Sequence, residues 1–123
     1  MKSNFSSRVV VAGIVFGATM LGGCATHSNS RALYNWGSYQ QQVYESLKDG
    51  GSSPEEQISA LERDMQKAQA RGEALPPGYH AHLAMLYGKV GKSDQVRQQL
   101  EAEKAQFPES TTFMDFMLSK FKK

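Results

Sequence analysis

Helix-breaking residues recur along this chain at intervals that leave only helix-length segments between them. Asp49-Gly50-Gly51-Ser52, Gly72 followed by Pro76-Pro77-Gly78, Gly91 and Pro108 punctuate the sequence after Ser38. Proline lacks an amide hydrogen and clashes with the preceding turn, and glycine takes the left-handed conformation in which helices often end. Between the breaks apolar residues return at steps of three and four, the period of one helix face, and strand-type alternation is absent. The chain should therefore be all-α, with its helices arranged in pairs.

The first pair joins Ser38–Lys48 to Pro54–Arg71. Ser53-Pro54-Glu55-Glu56 predicts a helix start. Ser53 caps, Pro54 suits the first helical position, Glu56 closes a capping box, and both acids sit at the positive end of the helix dipole. Ile58, Leu61, Met65 and Ala68 then share one face. In the second pair Tyr79, Leu83, Leu86, Tyr87 and Val90 form a stripe that Gly91 ends. Ser93 is expected to cap the next helix, where Val96, Leu100 and Phe107 recur before Pro108. A last short helix from about Thr112 to Phe121 carries Phe113, Met114, Phe116, Met117, Leu118 and Phe121, with Asp115 expected to complete a capping box with Thr112.

The run Leu83-Ala84-x-x-Tyr87, then Gly91, Val96, Leu100 and Pro108, is similar to a tetratricopeptide repeat, with no insertion in the spacing. Ala84 is small where two helices must approach closely, and Tyr87 is bulky where a neighbour leaves a hole. His80 stands where the repeat favours tryptophan, and Glu103 where it usually has alanine. The likeness implies two stacked helical hairpins plus a C-terminal capping helix, because one hairpin cannot bury its own stripe. A plain four- or five-helix bundle is the alternative.

The N-terminal segment has a different character. Lys2 and Arg8 precede an uncharged apolar run from Val9 to Met20, and Leu21-Gly22-Gly23 stands directly before Cys24, the single cysteine. A dozen or so apolar residues fall short of the roughly 20 needed to span a bilayer, and suit an h-region removed after export. Leu-Gly-Gly-Cys resembles a lipobox. This resemblance implies cleavage after Gly23 and a lipid, palmitate included, on Cys24. Such a cysteine carries several acyl chains and anchors firmly, because each buried CH₂ contributes roughly 0.8 kcal/mol. Ala25, rather than aspartate, follows the cysteine, which by the usual sorting rule points to the outer membrane with the domain facing the periplasm. The expected organisation is a signal peptide over 1–23, a lipidated cysteine and flexible tether over 24–32, and a helical-repeat-like domain over 33–123. The covalent lipid is the only non-protein group expected; no cofactor or metal is implied.

Cleavage would leave 100 residues, enough for one domain. Of 14 basic and 12 acidic residues it would remove Lys2 and Arg8, leaving 12 of each. A balanced chain has no net field to attract nucleic acid.

Leu33-Tyr34-Asn35-Trp36-Gly37-Ser38-Tyr39-Gln40-Gln41-Gln42-Val43-Tyr44 holds the one tryptophan and three of the five tyrosines. Such a block seats a domain on its core or serves as a binding epitope. Together with Pro76-Pro77-Gly78-Tyr79-x-x-x-Leu83-Ala84-x-Leu86-Tyr87 it resembles a family of small Gram-negative outer-membrane lipoproteins of unknown function. Members tend to be encoded beside a lipoprotein of the curli-secretion-channel type. The resemblance implies a compartment and an envelope-protein partner, and no reaction. Trp36, Tyr39, Tyr44, Phe113 and Phe116 are the partner-binding candidates, the last two because Phe and Met make adaptable interfaces.

No catalytic residues stand out. His80 and His82 are two apart on a helix and point to nearly opposite sides, unlike an i, i+4 metal pair. Glu55-Glu56 reads as capping, Ser52 and Ser53 lack a nucleophile elbow, and Gly50-Gly51 lacks a phosphate-loop lysine. The expected function is non-enzymatic: an accessory protein-interaction module for a curli-secretion-type envelope complex. The alternative is a structural lipoprotein that contacts peptidoglycan.

Overall fold

The computed structural model describes residues 32–121. The expected signal segment, Cys24 and the tether through Arg31 lie outside the described residues. Five α-helices follow one another: α1 Tyr39–Leu47, α2 Pro54–Ala70, α3 Tyr79–Lys89, α4 Ser93–Gln106 and α5 Thr111–Lys120, with a 3-10 turn at Pro108–Ser110 before the last. The described residues contain no strand, and the fold is all-α. Each helix packs on the next, most extensively α3 on α4, so α1–α2 and α3–α4 form two hairpins that stack through α2 and α3. Helix α5 lies on α4 and closes that side.

Local chemistry sets most of the boundaries. Ser53 Oγ accepts the Glu56 amide hydrogen at 3.2 Å and Glu56 Oε2 accepts that of Ser53 at 3.0 Å, the reciprocal box expected from the sequence. Gly72 and Gly91 follow α2 and α3 with positive φ.

Two expected caps are corrected. Ser93 is the first residue of α4 rather than its cap; Lys92 precedes it and no side chain caps that end. Thr112 lies inside α5. The 3-10 turn feeds directly into that helix, so Thr111 already has helical backbone angles. An N-cap needs non-helical angles to aim its side chain at the first amides. Asp115, freed from that role, accepts from Lys104 Nζ on α4 at 2.6 Å.

The core is one continuous cluster. Leu61 from α2, Tyr79, Leu83, Ala84 and Leu86 from α3, and Val96 and Leu100 from α4 are essentially sealed from solvent. Met114 brings α5 into the same cluster. Tyr79 donates its phenol hydrogen to the Leu61 carbonyl at 2.6 Å, fastening the second hairpin to the first. Ala84 and Tyr87 are both buried in this cluster, and Tyr87 also donates its hydroxyl hydrogen to Glu62 on α2.

Helix α3 starts without help from its own neighbours. Its N-cap, Gly78, has φ +85° and no side chain to offer. The acceptor comes from Glu103 on α4, whose Oε1 takes the Gly78 amide hydrogen at 2.6 Å and whose Oε2 lies 3.4 Å from the Ala81 nitrogen. Glu103 is only 2% exposed. A buried carboxylate is tolerable there because backbone donors and the positive helix end face it.

Candidate functional site

The segment entering α1 is tied down by backbone and carboxylate bonds. The Asn35 amide donates to the Ala74 carbonyl at 2.7 Å, and both the amide and the hydroxyl of Ser38 donate to Asp64 Oδ2, at 2.7 and 2.6 Å. Gly37 passes so close that a Cβ there would lie 2.7 Å from the same Asp64 oxygen. Tyr34 sets its ring edge-on to Phe107, with centroids 6.1 Å apart.

This anchoring divides the aromatic candidates. Tyr39 turns inward: its ring lies 5.2 Å from Tyr79 and 5.9 Å from His82. Its hydroxyl faces Gly78, where an added Cβ would come within 2.9 Å. Burial pushes the Tyr39 phenol above its usual range, and the negative charge of Glu103 adds to that. Trp36 stacks on Tyr39 at 6.2 Å and keeps 43% of its surface in solvent. Tyr44 is 63% exposed, with the Lys48 ammonium 5.3 Å from its ring centre.

Helix α5 presents a second aromatic group. Met114 is buried, and Met117, Leu118 and Phe121 are half-buried against the same core. Phe113 and Phe116 point elsewhere, 60% and 56% exposed, their rings stacked at 6.4 Å with planes 20° apart. Lys120 places its ammonium 4.8 Å from the Phe116 ring centre. The structure thus joins Trp36 to Tyr39 and Phe113 to Phe116, while Tyr44 makes no aromatic pair among the described residues.

Three exposed apolar side chains were not foreseen: Leu33, Leu47 and Met85. Leu47 had a legible signal, since it lies one turn beyond Tyr44 on the same face. Met85 had none, because the stripe of α3 gives no warning of an apolar residue outside it.

His80 and His82 serve different interfaces. His80 Nδ1 lies 2.6 Å from Gln99 Oε1 on α4, and His82 Nε2 lies 3.3 Å from Ser46 Oγ on α1. No group of three potential metal ligands assembles among the described residues. Burial holds the His82 imidazole below its ordinary value of 6.5, with repulsion from Lys89 adding to the effect. The unfolded chain therefore takes up this proton first as the pH falls. Stability linked to His82 is complete above 6.5 and lost as pH drops through the lowered folded value. Urea melts should show this acid-side slope in the wild type, and His82→Gln should flatten it.

Between α4 and α5 a cleft of about 340 Å³ is lined by Arg97, Glu101, Asp115 and Leu118. Lys104 links its two acids, 3.3 Å from Glu101 and 2.6 Å from Asp115. The Asp115 contact joins α4 to α5 and the Glu101 contact stays within α4; the residues lining the cleft bring together no nucleophile with a base.

No helix of the described residues is long and apolar enough to cross a membrane. No match was found among curated proteins or among solved structures. Residues 33–117 match the family described as Domain of unknown function (DUF4810), and the chain belongs to that family.

Proposed function

We propose, with that membership as the premise, that this protein is a non-enzymatic interaction module, lipid-anchored through Cys24 to the periplasmic face of the outer membrane. Its role is to assist the assembly, localisation or stability of an envelope complex of the curli-secretion-channel type. The observation that carries the reading is the exposed, mutually stacked Phe113–Phe116 pair on a helix whose other face is already committed to the core. Large aromatic side chains left in solvent on a rigid scaffold mark contact sites more often than scattered aliphatic ones do. The anchor and the identity of the partner rest on the sequence resemblances.

The test is photocrosslinking in intact cells from Trp36, Tyr44 and Phe116, with captured proteins identified by mass spectrometry. Recovery of a curli-channel-type lipoprotein supports the reading; reproducible failure to capture any protein overturns it. Anchoring is tested separately. Labelled palmitate should be incorporated, and Cys24→Ala should abolish both label and membrane attachment.

A second reading, contact with peptidoglycan, is favoured by Trp36, whose ring is backed by Tyr39 and offers a surface on which a sugar could stack. Under that reading the wild type co-sediments with purified sacculi and Trp36→Ala does not.

A further inference from the structure

We infer that α5 is a homotypic contact: it pairs antiparallel with α5 of a second copy of this chain, about a two-fold axis between Phe113 and Phe116. The inference rests on the reading of this helix as a contact, and it gives the Phe113–Phe116 pair to a second copy of this chain in place of the envelope partner. Its starting point is a stripe. Glu109, Phe113, Phe116 and Lys120 follow one another at steps of four, three and four, which places them along one side of the 3-10 turn and helix. All four are exposed. The buried Met114 and the half-buried Met117, Leu118 and Phe121 face the core instead.

The stripe is complementary to itself. Antiparallel packing centred between the two phenylalanines sets Phe113 against Phe116 of the other copy, and Phe116 against its Phe113. The same register sets Lys120 against Glu109 of the other copy at both ends. A two-fold contact must use one patch on both partners, so residues pair reciprocally, as they do here. The other charge of α5, Asp115, is already engaged by Lys104 of α4. Among the described residues Lys120 and Glu109 have no ion pair within their own chain. Lys120 instead lies over Phe116, which brings its charge to the edge of the apolar patch.

The contact is small. Two rings and two charged side chains per copy bury less than the roughly 1,000 Å² expected of a stable complex. Association is therefore weak in dilute solution and is raised by confinement on a membrane, where effective concentration is high.

The experiment places a photoreactive benzoylphenylalanine at position 113 of the full-length protein in cells, which keeps an aromatic ring there. A crosslinked species of twice the protein's mass is expected. Lys120→Glu and Glu109→Lys should each reduce its yield on the order of fivefold, and the double reversal should restore it. Circular dichroism melts check that the variants fold, as exposed positions should permit. A doubled-mass product indifferent to the charge reversals overturns this register. Crosslinks only to a different protein overturn the homotypic contact and leave the interaction reading standing. No crosslink to any protein from this site, or from the three sites named above, overturns both.

Discussion

Replacing Tyr79 with alanine should destabilise the protein by about 3–5 kcal/mol, the range for losing a large buried aromatic ring. Tyr79 has no exposed surface, and its ring lies where α3 meets both α1 and α2. A urea titration followed by circular dichroism would show a midpoint far below the wild-type value. A thermal midpoint lower by more than about 10 °C is expected for a domain of this size. Tyr79→Phe separates the ring from the hydroxyl. It keeps the packing and removes only the bond to the Leu61 carbonyl, so a loss of about 1 kcal/mol is expected. Burial first, and then the negative charge of Asp64, push the Tyr79 phenol well above its usual range. The hydroxyl therefore stays protonated and donating through the neutral range. Equal losses for the two substitutions would mean that the ring itself contributes little.

The second large effect concerns Glu103. Glu103→Ala restores the residue usual in a tetratricopeptide repeat, so by consensus it should be neutral or stabilising. The structure predicts the opposite, a loss of about 2–3 kcal/mol. The Gly78 amide would lose its acceptor in a half-buried place, and the positive end of α3 would lose a facing charge. Glu103→Gln keeps an acceptor oxygen without the charge and should cost roughly 1 kcal/mol. Denaturant midpoints for the three proteins decide between these expectations. A Glu103→Ala variant as stable as wild type would show that solvent or another group can cap α3.

Glu103 also marks the limit of what could be read from sequence. The acid and the amide it caps are 25 residues apart, and nothing near Gly78 announces a borrowed acceptor. Its disagreement with the repeat pattern was visible, but the reason was not. The capping box at Ser53 was fully legible, because donor and acceptor lie within one turn. Thr112 and Asp115 had the same local spacing and still failed. The 3-10 turn after Phe107 moved the helix start one residue earlier, and Lys104 of α4 offered Asp115 a cross-helix partner. Local spacing proposes a cap; the neighbouring helix decides whether the acid is free to make it.

The aromatic candidates show the same division. Tyr39 and Tyr44 stand five residues apart in one helix, and only the position of α3 sends the first ring against Tyr79 and leaves the second in solvent. In α5, apolar residues nearly encircle the helix, so periodicity could not say which would be buried.

The sequence by itself determined that this chain is helical, where its helices break, and which stripe of α2 and α3 faces inward. Those properties follow from proline and glycine stereochemistry and from the 3.6-residue period, both of which act within a few residues. Only the tertiary structure decided which of two similar aromatic rings packs against the core, which carboxylate starts α3, and which face of α5 remains open. Each of those outcomes depends on a group many residues away, brought near only when the hairpins stack.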